Sequence, residues 1–175
     1  LISNKMIMKL LKKALMRGLL LISKNNYMRV LGVKHGKDCK IVALNGGTFG
    51  SEPYLVSLGD HVEVSFDVRF ITHDGSIWVA RGKHPKSDVI GPISIGNNVF
   101  IGAKSIILPN TNIGNNVIIG AGSIVKGNYP SGEVYAGIPA KRIKATDSYI
   151  AEKLNDALPT KLLSKKEKKK FLINY

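Results

Sequence analysis

The chain has 175 residues, 44% of them hydrophobic, enough for one compact core with modest extensions. Its formal net charge of +14 is uneven: residues 1–40 hold 10 Lys/Arg against 1 acid, residues 41–140 hold 6 against 7, and residues 141–175 hold 10 against 4. The basic ends carry no nucleic-acid motif and no interleaved aromatics, which argues against nucleic acid as a partner. A lone Cys39 excludes an intramolecular disulfide framework and suits a reducing, cytoplasmic setting.

Residues 1–30 read as a basic helical segment, with an amphipathic helix over 5–23. Its apolar run, Leu19 to Ile22, is far too short to span a bilayer. No small-residue cleavage site follows, which argues against a signal peptide. Such a helix either lies on an anionic membrane surface, here the inner face, or packs against the body or a neighbouring subunit. Both readings stand on the sequence.

Residues 31–144 form a repeat domain whose coils begin near Val33. His35 falls in an aliphatic position and reads as structural, and Cys39 reads as buried packing. An early set of six-residue repeats starts at Leu58, Val64 and Phe70, with Val62 and Val68 four places after a start. Before it, Gly46 to Pro53 breaks the frame, and its turns stay unassigned. His61 occupies a corner slot and reads as exposed. The frame breaks again after Phe70 and resumes one position out of phase at Ile95, so residues 74–92 leave the coil as an excursion next to His73. Long excursions in compact domains are usually functional.

The period is clearest over 95–125, where Ile-Gly-Asn-Asn-Val opens two copies, at Ile95 and Ile113. Aliphatic residues recur at Ile95, Ile101, Ile107, Ile113, Ile119 and Val125. Small or β-branched residues recur at Val99, Ser105, Thr111, Val117 and Ser123. A six-residue period fits neither a helix nor an alternating strand; it fits a short extended segment plus a tight corner, repeated three times per coil. The aliphatic set points inward, the small set fills the remaining interior, and the Asn-Asn pairs suit left-handed corners. Residues 129–143, including Gly137-Ile138-Pro139-Ala140-Lys141, close the domain. Residues 145–175 are a basic helical extension: one helix from Asp147 to Leu158, stopped by Pro159, and a second over 165–172 with Ser164 and Glu167 as a capping box.

On these repeats, and on the closing Gly-x-Pro-Ala-basic segment, the chain resembles the hexapeptide-repeat acyltransferases, in their sugar and surface-polysaccharide O-acetyltransferase branch. The resemblance covers residues 31–144 and is most specific over 93–143. It implies an all-β repeat fold, a single-stranded left-handed parallel β-helix, with the amphipathic helix before it and the C-terminal helices after it. It also implies acetyl-CoA as co-substrate, a carbohydrate acceptor, and a homotrimer with active sites between subunits.

Acyl transfer from a thioester to a hydroxyl needs a base for the acceptor's proton and donors for the oxyanion, and no metal. Histidine suits the base. Phe70-Ile71-Thr72-His73-Asp74-Gly75-Ser76 resembles the active-site stretch of one branch of the family, which makes His73 the general base. His84, before Pro85, is the runner-up and joins the acceptor candidates. An extended chain would point Asp74 away from His73, toward the acceptor. Trp78 offers a flat face to a sugar ring, and Glu52, about one coil before His73, reaches the same cleft. In the family the pantetheine runs beside small residues after the repeat glycines and the phosphates meet basic groups at the coil end. The resemblance therefore assigns coenzyme A to Ala103, Ala121, Lys126, Lys141, Arg142 and Lys144. Related enzymes carry Thr-Lys where this chain has Lys126-Gly127, so the cation is displaced by one position.

The alternatives are an antibiotic O-acetyltransferase, an amino-sugar N-acyltransferase, a metalloenzyme like the γ-carbonic anhydrases, and a non-catalytic scaffold whose basic ends bind membrane. The metalloenzyme needs three converging imidazoles, and His61, His73 and His84 lack the expected close pair.

Overall fold

The computed structural model describes residues 4–175; the first three residues of the N-terminal segment lie outside them. Helix α1 (Asn4–Ile22) is followed at once by α2 (Lys24–Leu31). Ser23 separates the two, its Oγ accepting the Asn26 N–H at 3.2 Å as the N-cap of α2. Tyr27 and Met28 of α2 are buried, and Met16, Leu19 and Leu20 of α1 pack against the same core. Lys24 Nζ fastens α2 to the first coil through the carbonyls of Ile41 and Val42, at 2.7 and 3.0 Å.

The body is built from strands of two or three residues. The early coils give β1 (Lys34–His35), β2 (Lys40–Ile41), β3 (Val56–Leu58), β4 (Val62–Val64) and β5 (Arg69–Phe70). An antiparallel pair follows, β6 (His73–Asp74) and β7 (Val89–Ile90). The regular coils give β8 (Ile93–Ile95), β9 (Val99–Ile101), β10 (Ile106–Ile107), β11 (Thr111–Ile113), β12 (Val117–Ile119), β13 (Ile124–Val125), β14 (Asn128–Tyr129) and β15 (Glu133–Gly137).

These strands form three parallel sheets, ordered β1-β3-β8-β11-β14, β2-β4-β9-β12-β15 and β5-β10-β13. A final strand, β16 (Ala140–Ala145), adds antiparallel to β15. From β8 onward the chain visits the three sheets in rotation. Ile93 pairs with Thr111, Val99 with Val117 and Ile106 with Ile124, so each circuit lies on the one before it.

The six-residue period explains this geometry. Within a strand side chains alternate: Ile93 and Ile95 are buried around an exposed Ser94, and Val99 and Ile101 around an exposed Phe100. The inward aliphatic set at Ile95, Ile101, Ile107, Ile113, Ile119 and Val125 is buried throughout. The buried hydroxyls of Ser105 and Ser123 both donate to the Gly120 carbonyl, and that of Thr111 to the Leu108 carbonyl, so none is stranded.

At one corner Asp38, His61, Asn98 and Asn116 all adopt φ between 53° and 55°. Beside them the Asn97 Oδ1 accepts the Asp60 N–H and the Asn115 Oδ1 accepts the Asn97 N–H, a side-chain ladder from coil to coil. The glycines that follow Ile95, Ile101, Ile113 and Ile119 answer to close stacking: a Cβ on Gly102 would lie 2.4 Å from the Ala121 nitrogen.

Both breaks in the frame have a structure. The stretch around 46–53 buries Thr48 and Phe49. The Thr48 carbonyl accepts the Phe70 N–H at 2.8 Å, and the Phe49 ring stacks on Phe70 at 5.2 Å. It thus runs beside β5 where a regular strand is missing, and a 3-10 turn at Pro53–Leu55 leads into β3. The second break, expected as a loop over 74–92, is an arm with an ordered base: β6 and β7 pair as His73↔Ile90 and Asp74↔Val89, and a 3-10 helix, Gly75–Ala80, follows β6. The Gly91 N–H closes the arm on the Thr72 carbonyl at 2.9 Å.

Helix α3 (Thr146–Asn155) packs on β15 and β16 and ends three residues short of the expected Leu158. Helix α4 (Lys165–Ile173) carries the expected capping box. Ser164 N–H donates to Glu167 Oε2 at 2.8 Å, and Glu167 N–H donates to Ser164 Oγ at 3.3 Å.

Candidate active site

The arm leaves the body where Ile71 N–H is still bonded to the Ile107 carbonyl and Thr72 is fully buried, so His73 starts from a fixed main chain. Its ring stands between two carboxylates. Nδ1 lies 4.0 Å from Glu52 Oε1, and Nε2 lies 3.6 Å from Asp88 Oδ1. Both separations exceed hydrogen-bonding distance, and Nε2 is shielded from solvent without a hydrogen-bond partner.

The two carboxylates differ in support. Glu52 has a side chain only 14% exposed, against 49% for Asp88. Glu52 Oε2 accepts the Thr72 hydroxyl at 2.8 Å and the Ser51 hydroxyl at 3.0 Å. Thr72 Oγ1 in turn accepts the Glu52 N–H at 3.3 Å. Asp88 is held from the arm itself by Arg81 Nη2 at 3.0 Å. The other Arg81 nitrogen, Nη1, donates to the carbonyls of Pro85 and Ser87. The arm therefore folds a carboxylate back over the histidine at its own root.

Glu52 thus stands beside His73. Asp88 and Arg81 were missed, because only the antiparallel pairing of β6 with β7 carries residue 88 back to residue 73. Asp74 makes a contact that the sequence reading left out. Its Oδ1 accepts the Ser76 N–H at 2.9 Å and caps the 3-10 helix. That bond, aided by the charge of Lys126, holds its carboxyl below the ordinary aspartate range. The signal was present: Asp two residues before Ser, at a Gly, is a helix-cap signature.

Trp78 is exposed on the arm, as is Val79 beside it. His84 lies exposed in the turn beyond, its N–H on the Ala80 carbonyl. His61 pairs with Asn98 Oδ1 at 2.8 Å on the corner ladder, so His61, His73 and His84 do not converge within one chain. Cys39 is half-buried against the core, and that burial pushes its thiol pKa up.

The coenzyme A candidates divide. Lys126 follows β13, and its charge helps to lower the Asp74 carboxyl. Ala103 and Ala121 stack at another corner, between the second and third sheets, with the Gly122 N–H on the Ala103 carbonyl at 2.8 Å. Lys141, Arg142 and Lys144 lie on β16. Arg142 pairs with Glu133 at 2.9 Å and Lys144 with Glu152 at 2.7 Å. One chain therefore gathers Glu52, His73, Asp74, Asp88 and Lys126 at one edge and carries the two alanines on another.

Three parallel sheets of short strands that recur at a six-residue period define a hexapeptide-repeat coil, and residues 92–127 match the family described as bacterial transferase hexapeptide (six repeats). The chain is 46% identical over 171 residues to Protein CapG of Staphylococcus aureus, across 98% of this chain and 95% of that one. It belongs to the hexapeptide-repeat acetyltransferase family and is an enzyme of the transferase class. The fold is similar to a maltose O-acetyltransferase from Clostridium difficile 630, with a TM-score of 0.53 and 25% identity over 70% of this chain and 74% of that one. It is also similar to a serine acetyltransferase from Brucella abortus strain S19 in complex with coenzyme A, with a TM-score of 0.50 and 25% identity over 65% of this chain and 40% of that one.

Proposed function

We propose that the protein is an acetyl-CoA-dependent O-acetyltransferase that modifies a sugar hydroxyl in surface-polysaccharide synthesis, such as capsule or O-antigen, with His73 as general base. The observation that carries this reading is the His73 ring held between Glu52 and Asp88 at the root of the arm. The similarity to a maltose O-acetyltransferase supports a sugar hydroxyl as acceptor. The similarity to an enzyme in complex with coenzyme A supports the co-substrate.

Glu52, the better buried and better tethered carboxylate, lies 4.0 Å from Nδ1 and favours the Nδ1–H tautomer through its charge, which leaves Nε2 as the base. Nε2 takes the proton of the acceptor hydroxyl as its oxygen attacks the thioester carbonyl. The carbon–sulfur bond then breaks, and the thiolate of coenzyme A takes the proton back. The products are the acetyl ester and the free thiol. The imidazolium formed in passing lies between two negative charges. Asp88, at the mouth of the ring, meets the incoming hydroxyl, and Trp78 on the arm offers the sugar a flat face.

Ala103 and Ala121 would line the pantetheine, where flanking glycines let it approach the backbone, and Lys126 with Lys141 would meet the phosphates. Since the alanine edge and the His73 edge are different corners of one coil, the working site joins the edges of two subunits in a homotrimer. The coil itself is left-handed, as the family likeness implies. The arm and the residues that precede β3 shape the acceptor pocket.

The test is thiol release from acetyl-CoA against sugars, nucleotide sugars and lipid-linked glycans, with the product treated with hydroxylamine. Acceptor-dependent release and a hydroxylamine-labile ester are expected. A stable amide would instead assign an amino-sugar N-acyltransferase, and absence of acetyl-CoA binding would leave the scaffold reading.

A further inference from the structure

Helix α1 has two apolar faces, and only one is used by its own chain. The residues that touch the core are Met16, Leu19 and Leu20. Ile7, Leu11, Leu15 and Ile22 lie on another face, centred about 130° away around the helix at 3.6 residues per turn. They are 43%, 59%, 72% and 83% exposed. Met8, Leu10 and Leu21 widen that face and are exposed too. An apolar strip of this length on a soluble body calls for a cover.

Charge decides what covers it. Lys12 and Arg17 lie on opposite flanks of the strip and Lys9 behind it, all three exposed. No Asp or Glu occurs before Asp38. Apposing this face to that of a second copy would bring like charges together with no acid to offset them. A surface that is apolar inside and anionic outside matches both features, with the long basic side chains reaching back to the headgroups. Among the described residues no helix is long and apolar enough to cross a membrane, so the helix lies in the surface rather than through it.

We infer that α1 is an interfacial anchor that docks its Ile7–Leu11–Leu15–Ile22 face into an anionic phospholipid leaflet. This goes beyond the acetyl-transfer reading and does not depend on it. The helix is tied to the first coil through α2, while α3 packs on the last strands, so the anchor holds one end of the coil to the bilayer.

The experiment is flotation of the full chain with phosphatidylcholine vesicles, with and without phosphatidylglycerol, read beside the thermal midpoint and the solution mass. Binding is expected to the anionic vesicles only and to weaken as salt rises. The double substitution Leu11→Glu with Leu15→Glu is expected to lower partition by more than about tenfold. Each of Lys9→Gln, Lys12→Gln and Arg17→Gln is expected to lower it by about fivefold. Thermal midpoint, solution mass and turnover of soluble acceptor stay unchanged in all of them. Equal binding to neutral vesicles, no binding, or full binding by the double variant would overturn the anchor. So would a fall in solution mass in the double variant, since that would make the face a contact between copies.

Discussion

The coils from β8 to β13 build the three parallel sheets and the arm between β6 and β7 stands outside them, and their side chains are used in opposite ways. In the coils every inward group is committed. The aliphatic set is buried, and the hydroxyls of Ser105, Thr111 and Ser123 are spent on nearby carbonyls. At the root of the arm polar groups converge and stay incompletely paired, with the Nε2 of His73 lacking any hydrogen bond. Repetition leaves no side chain over for chemistry. Interruption of the repeat supplies one.

The largest expected contrast is in backbone space. Gly102→Ala places a Cβ 2.4 Å from the Ala121 nitrogen, whereas nothing lies within 4 Å of a Cβ on Gly75 in the arm. Chemical denaturation should give a loss of about 3 kcal/mol for Gly102→Ala. Gly75→Ala should gain about 0.5 kcal/mol through the unfolded chain. Similar effects at both glycines would remove the contrast.

Next comes Glu52→Gln, which keeps the size and a hydrogen-bond acceptor for Thr72 but removes the charge facing Nδ1. Steady-state kinetics should show kcat down by about tenfold or more, KM for acetyl-CoA unchanged, and a shifted pH profile. A change in KM alone would make Glu52 a binding group.

Asp74 provides a smaller test. Asp74→Asn retains an N-cap acceptor and should retain activity, while Asp74→Ala loosens the 3-10 helix and lowers activity several-fold through the arm. If Asn and Ala are equally damaging, the carboxylate acts on the acceptor directly.

The smallest effect is at the far end of the chain. The Ser164 bonds hold the Glu167 carboxyl below the ordinary glutamate range. A depressed folded-state pKa means that the capping box contributes fully above the ordinary value and is lost as pH falls through the lowered one. Far-UV circular dichroism should show a small acid-induced loss of helix in that window, and Glu167→Gln should abolish its pH dependence.

Much of this was legible in the sequence because its causes are local. Six-residue spacing fixed which side chains enter the coil, paired asparagines marked the left-handed corners at Asn98 and Asn116, and Ser164 with Glu167 marked the cap of α4. His73 was picked out by its place beside the excursion and by the resemblance of its stretch, residues 70–76, to an active-site segment of the family. Asp88 was not, since its nearness to His73 depends on pairing across the arm, and no periodicity encodes that. Phe49 taking the place of a strand beside β5 was hidden for the same reason: it rests on stacking with Phe70 rather than on a repeat.

The most direct measurement is the turnover of His73→Ala with acetyl-CoA and an accepted sugar, beside calorimetric binding of coenzyme A to the same preparation. The account predicts transfer abolished while coenzyme A affinity and thermal midpoint stay at wild-type values. Full turnover by His73→Ala would contradict it.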